Sequence, residues 1–384
     1  MEPTLRIALF SGNYNYVRDG ANQALNRLVD FLLRQGAEVR IYAPTVPDPA
    51  FEPTGELIGV PAAAIPGRPE YRMPLRLPMA IRRDLAAFAP DVVHVASPDI
   101  VSHRAISWAR RRNVPVVASV HTRFETYLGY YRLQWLEPAV RALLRRFYRR
   151  CDAIVAPAES TAAILRAQRM NHDISIWTRG IDRGQFNPER RSRDFRASHG
   201  IADDDVVVAF LGRLVLEKGL DTFADAIEAA TDRGVALRVL VIGEGPARGW
   251  FEERMPGAIF TGELTGEALA TALASSDVFL NPSVTESFGN VTLEAMACAL
   301  PVIAAVASGA TNLVRAGETG TLVEPTDIPG FADALQAYAG DAVLRERHGA
   351  AGLAFARTMD WDSINMAVLR TYRRVLGRKA ARPA

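Results

Sequence analysis

Short apolar runs rich in Val, Ile, Ala and Phe alternate with longer segments of helical apolar spacing along this chain, and the alternation pauses once, in a polar stretch, before restarting. This pattern predicts an α/β fold with doubly wound parallel sheets, because a parallel strand is buried on both faces and needs a crossover helix to reach its neighbour. The first series has strands at Leu5–Phe10, Glu38–Tyr42, Val92–Ala96, Val114–Val120 and Ala153–Ala156, with helices over Ala21–Gln35, Leu77–Phe88, Val101–Arg112 and Leu136–Arg149. Residues 44–78, dense in Pro and Gly, read as an irregular excursion around the sheet edge.

The second series starts at Val206–Leu211 and continues through strands at Leu237–Ile242, Ile259–Thr261, Val278–Asn281, Pro301–Ala304 and Thr321–Val323. Helices are expected over Gly219–Thr231, near Trp250–Arg254, and over Thr265–Ala274, Val291–Ala299, Asn312–Ala316 and Ile328–Ala339. The reading is two Rossmann-like domains, 1–182 and 206–358, joined by a linker over 183–205. The amphipathic segment over 359–384 is a closing helix expected to cross back to the first domain. Two such domains facing each other would bring their strand ends to one cleft, where open α/β sheets bind ligands.

Several classes fall away on composition. No run reaches about 18 uncharged apolar residues, so a membrane-spanning helix is not expected. The first strand follows Met1 so closely that a signal peptide has no room, and a cytoplasmic location is expected. Cys151 and Cys298 lie without His or Cys at ligand spacing, which argues for small core residues rather than a zinc site or a disulfide framework. Charge is uneven. Residues 1–180 hold 24 Arg, no Lys and 16 acids, a balance of +8, whereas the remainder holds 21 bases and 27 acids, a balance of −6. Between Arg104 and Arg150 there are 11 Arg against Glu125 and Glu137, which predicts a basic surface suited to phosphate or an anionic lipid face. Nucleic acid is not the expected partner, since no recognition motif accompanies that surface.

The segment richest in chemistry is Asn281-Pro-Ser-Val-Thr-Glu286-Ser-Phe-Gly289-Asn290-Val-Thr-Leu-Glu294. It sets two glutamates eight positions apart around a Gly-Asn turn that opens a helix. Backbone N–H groups at a helix start attract anions, Gly289 lets a ligand approach the chain, and a carboxylate accepts hydroxyl hydrogens from a sugar. On spacing alone, a capping Glu286 and a solvated Glu294 remain open. Upstream, Gly212-Arg213 and Lys218-Gly219 flank a strand-to-helix loop. Arg213 and Lys218 can project from it toward a diphosphate, or simply be solvated.

These residues resemble glycosyltransferase family 4, of the GT-B fold. The likeness rests on Gly212-Arg213 with Lys218-Gly219, on Glu286 and Glu294 around Phe288-Gly289, on Pro301-Val-Ile followed by Gly309, and on Gly317-x-x-Gly320-x-Leu-Val. It also rests on Arg179-Gly180-Ile181-Asp182 with Phe186 and Pro188. The resemblance implies retaining transfer of a hexose-type sugar from a nucleotide diphosphate sugar, UDP- or GDP-linked, with no cofactor and no required metal. Carried over by position, Arg213 and Lys218 would hold the diphosphate, Glu294 the ribose and Glu286 the sugar. Ser287, Phe288, Asn290 and Val291 would add contacts, Gly245 and Leu264 would line the donor, and Gly20 would face the phosphates. Ala21 stands where many members have a second glycine. His121, after the strand ending at Val120, would donate to a sugar hydroxyl or to charge at the anomeric centre, or be a satisfied structural histidine.

The acceptor side is read from the aromatic and basic stretch that holds Arg123, Tyr127, Tyr130, Tyr131 and Trp135 and continues through Arg145, Arg146 and Arg149. Such a stretch can lie on an anionic bilayer surface or be a solvated helix over a core. It is similar to the lipid-acceptor branch, the sulfoquinovosyl-diacylglycerol synthases and GDP-mannose-dependent lipid mannosyltransferases, which points to a lipid acceptor and a peripheral place on the membrane. A family member acting on a small polar molecule or saccharide is the alternative. A nucleotide-sugar isomerase would need acid/base carboxylates in the first domain, where Asp19 and Glu125 are the obvious candidates.

Overall fold

A computed structural model describes residues 4–17, 19–65, 68–121, 134–286, 288–307 and 309–381. They fall into two compact units, residues 1–179 with 361–384, and residues 180–360.

The first unit runs β1 (Arg6–Phe10), α1 (Gly20–Arg34), β2 (Glu38–Ala43), β3 (Glu56–Gly59), β4 (Ala62–Ile65), β5 (Arg68–Pro74), α2 (Met79–Phe88), β6 (Val92–Val95), α3 (Ile100–Arg111) and β7 (Val116–Ser119). It continues with α4 (Glu137–Tyr148), β8 (Ala153–Ala156), α5 (Glu159–Ala167) and β9 (Ile174–Ile176). The sheet order is β3-β2-β1-β6-β7-β8-β9, every pairing parallel. Strands such as Val-Val-His-Val and Ala-Ile-Val-Ala are buried throughout because helices cover both faces.

Residues 44–78 are more regular than expected. β3 pairs with β2 at the sheet edge, and β4 and β5 form an antiparallel pair. Gly55 makes the entry to β3 possible: its φ is +84°, and a Cβ there would lie 2.9 Å from Ile41 Cδ1. Runs of four residues amid Pro and Gly carry too little periodicity to show this from sequence.

The second unit runs α6 (Arg193–Ser198), β10 (Val207–Leu211), α7 (Leu220–Asp232), β11 (Arg238–Ile242), α8 (Arg248–Arg254), β12 (Ile259–Gly262) and α9 (Gly266–Ala274). It closes with β13 (Val278–Asn281), α10 (Asn290–Ala297), β14 (Val302–Ala305), β15 (Gly320–Val323), α11 (Ile328–Gly340) and α12 (Ala342–Ala356). Its parallel sheet has the order β12-β11-β10-β13-β14-β15.

Two expectations need correction here. The stretch 183–205 is not a free linker: Phe186 and Ile201 join the core of this unit. Arg196 is buried, bonding the Ser275, Ala202 and Asp205 carbonyls and pairing with Asp277 at 3.1 Å. A polar composition had suggested solvent, but an arginine whose two terminal nitrogens are paired with three carbonyls and a carboxylate is stable inside. The helix expected over 312–316 is instead a single 3-10 turn, Ala310–Asn312, followed by a turn at Gly317, φ +76°.

α13 (Trp361–Ala380) completes the first unit. Val368, Leu369, Tyr372 and Val375 pack with Leu25, Leu28, Val29 and Leu32 of α1, while Arg34 bonds Asp362 at 2.7 Å and Arg374 bonds Asp173 at 2.6 Å. Both cysteines are free and buried. Among the described residues no helix is long and apolar enough to cross a membrane.

Candidate functional site

The loops after β10 and β11 in the second unit are held backbone to backbone. Gly212 N donates to the Ile242 carbonyl at 3.0 Å, Leu214 N to the Glu244 carbonyl at 2.9 Å, and Ala247 N to the Leu214 carbonyl at 3.0 Å. A Cβ on Gly243, φ +146°, would lie 2.0 Å from the Gly212 oxygen, so only glycine fits. One on Gly245 would lie 2.4 Å from the Leu214 oxygen. These contacts hold the exposed Arg213 at the strand end. Leu264, after β12, is partly buried against the core.

Lys218 ends a 3-10 turn over Leu216–Lys218, and Gly219 then takes φ +75° to start α7. That turn lies on the loop after β13: Thr285 Oγ1 donates to the Glu217 carbonyl at 3.1 Å. Lys218 Nζ therefore reaches Glu286 Oε1 at 3.0 Å, across 68 positions of sequence. The Asn281 amide donates to Glu286 Oε2 at 3.3 Å and to Thr292 Oγ1 at 3.0 Å. The carboxylate is thus aimed by a cation on one oxygen and an amide on the other, and its side chain is only 12% exposed. Gly309 backs this loop: a Cβ there would sit 2.8 Å from the Glu286 carbonyl oxygen.

Gly289, φ +94°, precedes α10 and brings no capping side chain, so the first-turn N–H groups of Asn290 and Val291 belong to an uncapped helix start. Phe288 is buried in the core, leaving its backbone as the part that can meet a ligand. Glu294 is partly buried one turn into the helix. Ser287 lies outside the described residues. Asn281 heads the motif in the sequence without an assigned role, and its work on Glu286 shows only in the structure; an Asn closing a buried apolar strand is the signal that points to it.

In the first unit Gly20 is the first residue of α1. The Asp19 carboxylate caps this helix, accepting from Ala21 N at 2.9 Å and Asn22 N at 2.8 Å, and Asn13 Nδ2 donates to its other oxygen at 3.0 Å. Burial raises the Asp19 pKa above the ordinary carboxylate value, against the pull of these hydrogen bonds and of Arg179.

His121 lies just past β7, and both of its ring nitrogens have protein partners. Nε2 lies 2.8 Å from Ser119 Oγ and Nδ1 lies 3.0 Å from Arg179 Nη2, so both nitrogens are engaged by the protein. Burial and then the Arg179 charge hold the imidazole pKa well below its usual value. It is a neutral ring at neutral pH.

On the acceptor side, Arg123, Tyr127, Tyr130 and Tyr131 lie outside the described residues. Trp135 is 74% exposed, and Leu143, Arg146 and Arg149 are exposed on or just beyond α4. Arg145 differs: its Nε donates to the Gln168 carbonyl at 2.9 Å, a structural contact that takes it off the outward face.

Residues 18–185 match the model of Glycosyltransferase Family 4, and residues 205–341 match that of glycosyl transferases group 1. The chain is 33% identical to a GDP-mannose-dependent alpha-mannosyltransferase of Mycolicibacterium smegmatis, over 99% of this chain and 100% of that protein. It is 31% identical to the sulfoquinovosyl transferase SQD2 of Arabidopsis thaliana, over 93% of this chain and 71% of that protein. Among solved structures, sucrose-phosphate synthase from Thermosynechococcus elongatus shares the fold with a TM-score of 0.80 at 22% identity, covering 97% of this chain and all of that one.

Proposed function

The chain belongs to glycosyltransferase family 4, and from that premise we propose that it moves a hexose from a nucleotide diphosphate sugar to an acceptor hydroxyl on a lipid, with retention of anomeric configuration and no metal requirement. The observation that carries the reading is the Lys218–Glu286 pair beside the uncapped start of α10.

These groups match the charge changes of such a transfer. As the bond from C1 of the sugar to the leaving phosphate oxygen breaks, negative charge grows on the diphosphate, and Lys218, Arg213 and the α10 N–H groups are the donors suited to stabilise it. Glu286, held by Lys218 and Asn281, accepts hydrogens from sugar hydroxyls and fixes the ring for attack. The acceptor oxygen bonds to C1 on the face the phosphate leaves, and its proton passes to that phosphate oxygen. Arg213 and Lys218 supply the positive charge a metal would otherwise bring, so chelation should leave the rate unchanged.

A lipid acceptor fits the exposed Trp135, Leu143, Arg146 and Arg149, an apolar and cationic combination suited to an anionic bilayer surface. The names of the relatives make GDP-mannose the first donor to try and UDP-sugars the second. The test incubates the chain with each donor, lipid extracts and EDTA, identifies the product by mass spectrometry and reads its anomeric configuration by NMR. An α-linked glycolipid from an α-linked donor, formed with EDTA present, is the expected result. An inverted product, or hydrolysis alone with every acceptor, would overturn the reading.

A further inference from the structure

The hydrogen bonds at His121 continue into the interior of the first unit. Ser119 Oγ, 2.8 Å from His121 Nε2, is also 2.8 Å from His94 Nε2, and His94 Nδ1 is 2.5 Å from Tyr372 Oη on α13. At the other end Arg179 Nη1 bonds the Trp177 and Thr178 carbonyls at 3.0 and 3.1 Å, and its guanidinium lies 4.9 Å from the centre of the Trp177 ring. Trp177 is tied in turn to Asn365 of α13 at 3.0 Å. Arg179, Ser119, His94 and Tyr372 are all buried.

Proton direction along this chain follows from donor chemistry. A guanidinium only donates, so His121 Nδ1 accepts and the ring proton sits on Nε2. That proton goes to Ser119 Oγ, whose own hydrogen can turn to His94 Nε2. In that arrangement the His94 proton sits on Nδ1 and points to Tyr372, and all four bonds run one way. The other arrangement, with Tyr372 donating to Nδ1 and His94 Nε2 donating to Ser119, leaves His121 as it is and is told apart by the His94 tautomer.

We propose that Arg179 is a positioning residue for His121, and that with Ser119, His94 and Tyr372 it holds that histidine neutral, Nε2-protonated and fixed in orientation at the end of β7. The functional consequence rests on the reading of His121 as part of the sugar-transfer site. A proton added at His121 Nδ1 would face the guanidinium. Among the described residues, the charged or titratable groups around the ring are Arg179, His94 beyond Ser119, and Asp19, which attracts Arg179. Of these the two nearest oppose imidazolium, so the histidine adds no ionisation of its own to the working enzyme. Packing of α13, distant in sequence, becomes a condition for the state of a residue after β7.

The test uses the full-length chain with 15N-labelled histidine. The wild type should show His121 protonated on Nε2, His94 on Nδ1, and neither titrating between about pH 5.5 and 8, where an ordinary histidine changes charge. Arg179→Met should raise the His121 pKa toward, but not to, its usual value, because burial remains, and should free the ring proton to leave Nε2; Arg179→Lys should restore the wild-type pattern. Should Arg179→Met fail to fold, Ser119→Ala removes the hydroxyl link and should change the His94 signals. A wild-type His121 that titrates in that range, or carries its proton on Nδ1, overturns the proposal, as does an unaltered His121 in Arg179→Met. The spectra need no sugar transfer, so a chain that transferred nothing would defeat the functional reading and leave this result standing.

Discussion

Glu286 and His121 both follow the C-terminal ends of parallel strands, one in each unit, yet their surroundings treat charge in opposite ways. Glu286 is paired with Lys218, whose side chain is 30% exposed, so the pair sits where a polar ligand can exchange with it. His121 is enclosed by Arg179, Ser119 and Trp177, and burial suppresses its charge. The difference teaches that position at a strand end makes a residue a candidate, while the water left around it decides whether it works as an ion or as a fixed dipole.

Glu286→Gln probes the charged side of this contrast and should give the largest effect. Losing the carboxylate that Lys218 and Asn281 aim should lower kcat about 10²–10³-fold, the range for removing one preorganised polar contact. Donor affinity, read by thermal shift with GDP- and UDP-sugars, should fall much less. Near-normal turnover would remove Glu286 from the mechanism. Next, Gly243→Ala sets a Cβ 2.0 Å from the Gly212 oxygen and should destabilise the second unit by about 3 kcal/mol through overpacking and backbone strain. Calorimetry should find that loss while the first unit's melting is unchanged, and a shared shift would show that the two units unfold together.

The buried side of the contrast is tested by pH. His94 has its pKa pushed down to about 3 by burial, and His121 is shifted the same way. Each folded pKa lies below the unfolded one near 6.5. The stability they hold is therefore fully present above that pH and falls as the pH drops toward the folded values. From pH 6.5 to 5, His94 alone should cost about 2 kcal/mol, measured as a falling midpoint in urea. A flat profile over that window would mean the histidine is not desolvated. The smallest effect belongs to the exposed cations of the first unit, the counterparts of buried Arg179. Arg146→Glu with Arg149→Glu should weaken co-sedimentation with anionic vesicles by about 1 kcal/mol per residue or more, an effect that fades in high salt. Binding that ignores both the charges and salt would point to apolar insertion by Trp135 and Leu143.

Much of the fold could be read directly. Val206–Leu211, Leu237–Ile242 and Val278–Asn281 announced buried parallel strands through nearly unbroken apolar runs, and most helices of both series were readable from their spacing. What escaped was α5 and the fifteen-residue α12, which buries His348, Gly349, Gly352 and Ala356 rather than a stripe of large apolar side chains, and several short or polar pieces: the four-residue strands β3 and β4, the three-residue β9, and α6 around Arg196. Such pieces are held by backbone pairing or a buried ion pair, and neither has a period to detect.

The sequence by itself determined the two α/β series, the family motif that marks Lys218 and Glu286, and the uneven charge of the halves, because each is a local property of residue type and spacing. Only the tertiary structure decided that Lys218 pairs with Glu286, that Asn281 orients it, and that Arg179 and Tyr372 bracket the chain of hydrogen bonds through His121. Parallel strands bring residues tens to hundreds of positions apart to the same sheet end, and at that range chain closure sets the neighbours rather than any pattern along the sequence.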